Sequence, residues 1–246
     1  MLPIIRQLSV EEKEHVGQTW ARRAEAKARV TLRFASLANA IRAHGASPTL
    51  IELCKRAARD GEHHVESCKR IAQDFGVTPK LEDVNRPGPL APSTLNIEHR
   101  ILYEMVAISC IDEVLMGALL GKIYQAAKYP PIRLSAHLMF SDSIWHSRAG
   151  WGYLGEVQKT ASVTWLAVHL IELLERTQEH ELCGPARPVG ERGHLAAYGE
   201  IPEAERRVSF KEVVNTVILP GLESYGVDIS QGRSWINAWV RDTPSS

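Results

Sequence analysis

The sequence predicts an all-α chain, and three observations carry that prediction. Apolar residues recur at three- and four-residue spacing through nearly all of the 246 residues, while alternating strand patterns are scarce. Helix starts and stops punctuate the chain at Ser9, Gly45, Ser47-Pro48, Gly76 and Pro130-Pro131. A stretch rich in proline and glycine, 77–93, divides the four longest helical runs into two pairs. It exceeds the ~2–8 residues usual between helices. Together these describe two long helical hairpins joined by one long crossover: a four-helix bundle with additional C-terminal helices. A short-looped up-down bundle is the competing arrangement.

The elements follow in order. Ser9-Val-Glu-Glu12 fits a capping box, with Ser9 as N-cap and Glu12 at the third helical position. The first helix then runs to about His44 and stops at Gly45. That is a rod on the order of 50 Å at roughly 1.5 Å per residue. Pro48 opens the second helix, which ends at Gly76. A third helix is expected over 94–128 and a fourth over 130–159. A fifth segment, 161–182, spaces Trp165, Val168, Ile171 and Leu174 as on a helix face. The stretch 184–203 reads as irregular. A further helix is expected over 210–219, ended by Pro220-Gly221, and a short apolar one over 230–240. The whole chain, 1–246, reads as a single domain with a core at 9–159 and a helical extension at 160–246.

Composition narrows the function. Lysine plus arginine number 29 and aspartate plus glutamate 29, so the net charge is zero. A binder of nucleic acid or of a membrane surface through a basic patch is not expected. At 44% hydrophobic and 24% charged residues, the chain belongs with soluble globular proteins. No apolar run reaches the ~20 residues of a membrane span. Met1 to Val10 lacks the pattern of a secretion signal. Cys54, Cys68, Cys110 and Cys183 form no CxxC pair and read as reduced thiols, which points to the cytoplasm.

The informative signal is an internal repeat. Helix two contains Asp60-Gly61-Glu62-His63-His64, and helix four contains Asp142-Ser143-Ile144-Trp145-His146. Both read Asp, small residue, any, any, His, so each His shares a face with its Asp. Helix one carries Glu25 and helix three Glu113, with Glu104 as a rival. The order Glu, Asp-x-x-x-His, Glu, Asp-x-x-x-His resembles that of the ferritin-like di-iron carboxylate family over about residues 15–155. In that family each half supplies one Glu from its first helix and a Glu-x-x-His from its second. The resemblance implies metal ligands at Glu25, His64, Glu113 and His146, with Asp60 and Asp142 orienting the imidazoles. The glutamate of each Glu-x-x-His is replaced, by Gly61 and by Ser143.

That departure changes the expected chemistry. Two carboxylates and two imidazoles offset one divalent cation, and two ions would leave buried positive charge uncompensated. The expectations are one Fe or Mn ion, a centre rebuilt with Asp60, Asp142 or Glu62, or no metal. Room vacated at Gly61 and Ser143 would admit a substrate or a water. The function the resemblance implies is a metal-dependent oxidoreductase acting on a small organic substrate, with two copies of the chain pairing as a further option. The alternative is a metal-free bundle serving as a binding or assembly module, with each Asp–His pair fixing helix packing.

Other patterns carry less. Gly150-Trp-Gly152-Tyr-Leu-Gly155 matches GxGxxG, but it follows a helical run and so reads as close-packing points. Gly117 and Gly121 read the same way. Cys68 and Cys110 read as core residues, and His169, among apolar neighbours, as a packed or surface histidine and not a ligand. His180 and Cys183 read as structural.

Overall fold

The computed structural model describes residues 7–84, 87–178 and 193–239, and these are helical apart from turns, with no strand among them. The elements are α1 (Val10–Ala43), α2 (Pro48–Asp74), α3 (Ile97–Met105), α4 (Glu113–Ala126), α5 (Pro130–Gln158), α6 (Leu170–Gln178), α7 (Glu203–Val213), α8 (Leu219–Ser224) and α9 (Ser230–Trp239). A π-helical segment, Val106–Asp112, joins α3 to α4 as one rod. Among the described residues, no helix is long and apolar enough to cross a membrane.

Local chemistry sets the ends. The Ser9 hydroxyl accepts from the Glu12 amide at 3.2 Å, and the Glu12 carboxylate accepts from the Ser9 amide at 2.8 Å, completing the capping box. Gly45 and Gly76 follow α1 and α2 with φ of +77° and +85°, where a side chain would be strained. The third rod begins at Ile97 and not at Thr94, because the Asn96 side chain accepts from the His99 amide at 2.8 Å.

Beyond Thr160 the sequence reading needs correction. The fifth segment is a 3-10 turn (Thr164–His169) running into α6, and its expected end at 179–182 lies outside the described residues. So does the first part of the stretch read as irregular, 184–192, along with Cys183 and His180; its described remainder is not all irregular, since it holds a 3-10 turn at Gly193–Tyr198. α7 starts at Glu203, seven residues early, favoured by acidic residues in its first turn and an Arg207–Glu203 pair at 3.0 Å. Pro220 does not end a helix. A π turn, Val214–Ile218, precedes it, so the proline stands in the first turn of α8.

The long helices bury two separate apolar clusters. One gathers Phe34 and Ile41 of α1, Leu50 and Ala57 of α2, Leu102 of α3 and Leu154 of α5. The other gathers Trp20 and Ala24 of α1, Ile71 and Phe75 of α2, Leu120 of α4 and Ile132 and Met139 of α5. α1 and α5 therefore run from the Trp20 cluster to the Phe34 cluster. α2 and the α3–α4 rod run the opposite way, so the connection between them spans the length of the helices. α1 lies against α2, α5 against α4, and α2 against α5. Between the two clusters every one of the four rods contributes polar residues at the same level.

The extension shares the Phe34 cluster through Leu166, Leu170, Leu174, Phe210 and Ile236. It is also tied by charge. The Arg176 guanidinium donates to both Asp112 carboxylate oxygens at 3.0 Å and to the Ala107 carbonyl at 3.1 Å, clamping the two ends of the π segment. Burial pushes the Asp112 carboxyl up, opposed by Arg176. Replacing Arg176 by Met is expected to lower stability by about 3 kcal/mol, because it strands a buried carboxylate. Adding Asp112→Leu is expected to recover most of that loss. Urea denaturation of the two variants measures both effects.

A charged layer at the centre of the helices

The polar layer is built from α1, α2, α4 and α5. Lys27 follows Trp20 and Ala24 on the buried stripe of α1, and only 9% of its side chain is exposed. Its ammonium lies 3.7 Å from Glu113 Oε1, and the Glu113 side chain is 3% exposed. Glu113 Oε2 faces His146 Nδ1 at 3.3 Å, and His146 Nε2 faces Asp60 Oδ2 at 3.2 Å. Arg56 stands beside both aspartates, 3.3 Å from Asp60 and 3.8 Å from Asp142. Asp142 in turn faces His64 Nε2 at 2.9 Å. The two Asp-x-x-x-His motifs thus pair across helices: the His of α2 with the Asp of α5, and the reverse.

The surroundings bias the protonation. Both His146 nitrogens face carboxylate oxygens, an arrangement that favours the doubly protonated ring. Burial opposes that charge, but the Glu113 hydrogen bond and carboxylate raise His146 above its ordinary value. His64 Nε2 faces Asp142, and its buried Nδ1 has no hydrogen-bond partner among the described residues. Burial lowers its pKa against the pull of Asp142. The hydrogen bond from His64 in turn holds the Asp142 carboxyl low. Burial alone would raise Glu113; the Lys27 ammonium and the His146 contact overcome it and hold it at about 2. Three basic side chains (Lys27, His146, Arg56) face three acidic ones (Glu113, Asp60, Asp142), and burial disfavours a charge on His64.

Of the residues expected to bind metal, His64, Glu113 and His146 come together, with Asp60 and Asp142 beside them. Glu25 does not join them. It accepts from the Lys80 amide at 3.3 Å, beside the crossover. Glu104 accepts from the Leu90 amide at 3.1 Å, and Glu62 is exposed. Lys27 was missed, although its register with Trp20, Ala24, Phe34 and Ile41 marks it as inward-facing. Among the described residues, no group of three or more His, Cys, Asp or Glu side chains is disposed to hold a metal ion. The chemistry of the donors explains this: Lys27 supplies beside Glu113 the positive charge that an ion would bring.

The space expected at Gly61 and Ser143 is filled. A Cβ at Gly61 would overlap Thr31 Oγ1, which donates to the Lys27 carbonyl at 2.8 Å. The Ser143 hydroxyl donates to the Phe140 carbonyl at 2.7 Å and lies where a Cβ on Gly117 would meet it at 2.6 Å. The GxGxxG glycines are close-packing points, Gly150 against Ser109 and Cys110, and Gly152 against Leu50. Ser109, in the π segment, donates to the His146 carbonyl and accepts from the Gly150 amide, holding α5 beside the layer. Cys68 and Cys110 are buried.

Comparison of the chain with protein-family models, curated proteins and solved structures returns no match.

Two predictions follow from this geometry. His146 is expected to titrate above the ordinary imidazole value of ~6.5 and His64 below it, read from their ring-proton NMR shifts. The sign follows from linkage: the stability that the His146 imidazolium contributes is present below ~6.5 and lost as pH rises through its raised pKa. Gly61→Ala is expected to destabilise by on the order of 1 kcal/mol, overpacking against Thr31 outweighing the helix propensity gained. Thr31→Ala is expected to reverse that loss in the double variant, measured by thermal unfolding.

Proposed function

We propose that this chain is a ferritin-like four-helix bundle that has exchanged its metal for an internal cation, and that it serves as a metal-free binding or assembly module. The observation that carries the proposal is Lys27, buried beside Glu113 at the level of the two Asp-x-x-x-His motifs. Each carboxylate of the layer has its own basic partner, three of each kind. An added divalent ion would leave that buried balance with excess positive charge, which is costly in a medium of low polarity. The helix directions support the family part of the proposal: α2 and the α3–α4 rod are parallel and joined by a long crossover, as in ferritin-like bundles. The filled positions at Gly61 and Ser143 support the rest, since they close the space in which a small substrate would sit.

One observation favours a second reading. His64 Nδ1 is buried without a hydrogen-bond partner among the described residues, and with His146 Nδ1 and Glu113 it would give one ion two imidazoles and one carboxylate. Such a set suits a mononuclear iron or manganese oxidoreductase. It requires the Lys27 ammonium to leave Glu113.

Elemental analysis of protein grown with added iron and manganese, and purified without chelators, separates the two. The expected outcome is well below one ion per chain, unchanged in His64→Ala. A stoichiometric ion that disappears in His64→Ala overturns the proposal in favour of the second reading.

A further inference from the structure

The outer face of α5 leaves large apolar side chains in solvent. Leu134 is 60% exposed, Leu138 49% and Trp145 40%, and their spacing aligns them in one stripe, with Ile144 at its edge. Such a row on a helix that buries its opposite face is an unpartnered surface. Its flank is basic. The Arg133 guanidinium stacks on Tyr124 at 4.8 Å and that of Arg148 on Trp145 at 4.3 Å. Among the described residues neither has a carboxylate partner, and no exposed residue of α5 is acidic. Arg56 lies against Trp145 at 5.1 Å and also beside Asp60 and Asp142, so this surface adjoins the charged layer.

We propose that this face docks an acidic amphipathic helix of a partner protein. The stripe takes the partner's apolar residues, and Arg133 and Arg148, about 22 Å apart along the helix, take carboxylates on its flank. Charge selects this occupant over a second copy of the chain. Antiparallel pairing of α5 with α5 sets Arg133 of one copy opposite Arg148 of the other, and parallel pairing sets each against itself. The inference rests on reading the chain as a binding module, and metal analysis tests that reading separately.

A photoreactive benzoylphenylalanine placed at Leu138 of the full chain, irradiated in the protein's own cells, tests the proposal by mass spectrometry of the cross-linked peptide. The expected product is a peptide of another protein with apolar residues three and four apart and aspartate or glutamate beside them. Arg133→Glu with Arg148→Glu is expected to cut its yield at least about tenfold without altering the melting temperature. A peptide from this same chain, a peptide without acidic residues, no cross-link, or a yield insensitive to the charge reversal overturns it.

Discussion

A buried ammonium in contact with a buried carboxylate constrains everything around it. Lys27 and Glu113 meet at the middle of the molecule, where neither can be stabilised by water. Each is tolerated because the other is there and because the chain of hydrogen bonds continues. Glu113 passes the demand for charge to His146, His146 to Asp60, Asp60 to Arg56, and Arg56 to Asp142 and His64. Arg56 also reaches solvent, so the layer is anchored at the surface as well as in the interior. Four helices have to align in level for this to happen, which gives them a fixed register that two apolar clusters alone would not impose.

The same logic extends to the outer helices. Arg176 reaches into the third rod at the π segment, where Asp112 and the Ala107 carbonyl wait for a donor. The extension therefore brings the one guanidinium that the segment cannot supply itself. Ser109, in the middle of that segment, bridges the His146 carbonyl and the Gly150 amide. The widened turn thus links the extension on one side to the charged layer on the other.

Much of this was legible in residues. The capping box at Ser9 and the glycines after α1 and α2 marked helix ends, and the paired Asp-x-x-x-His motifs with Glu113 marked five side chains that the fold brings together. Glu25 lies outside the layer and Lys27 within it for a physical reason. A search for carboxylates ignores rotation, and two residues along a helix turn a side chain by roughly 200°. The apolar stripe of Trp20, Ala24, Phe34 and Ile41 runs through Lys27 and leaves Glu25 on the crossover side. Pro220 misled because a proline following a π turn begins a helix as easily as it ends one. The crossed pairing of His64 with Asp142 was out of reach, since it depends on how two helices dock, and so was the contact between Thr31 and Gly61.

That last contact bears on which substitutions the layer tolerates. A glutamate at position 61 has nowhere to stand while Thr31 fills the notch, and an acidic residue at position 27 would leave Glu113 facing a like charge in place of its counterion. Single substitutions toward a carboxylate-rich centre therefore produce crowded or electrically unbalanced proteins. The packing around the layer resists such changes one at a time, and only paired changes, at 31 with 61 or at 27 with 113, escape it.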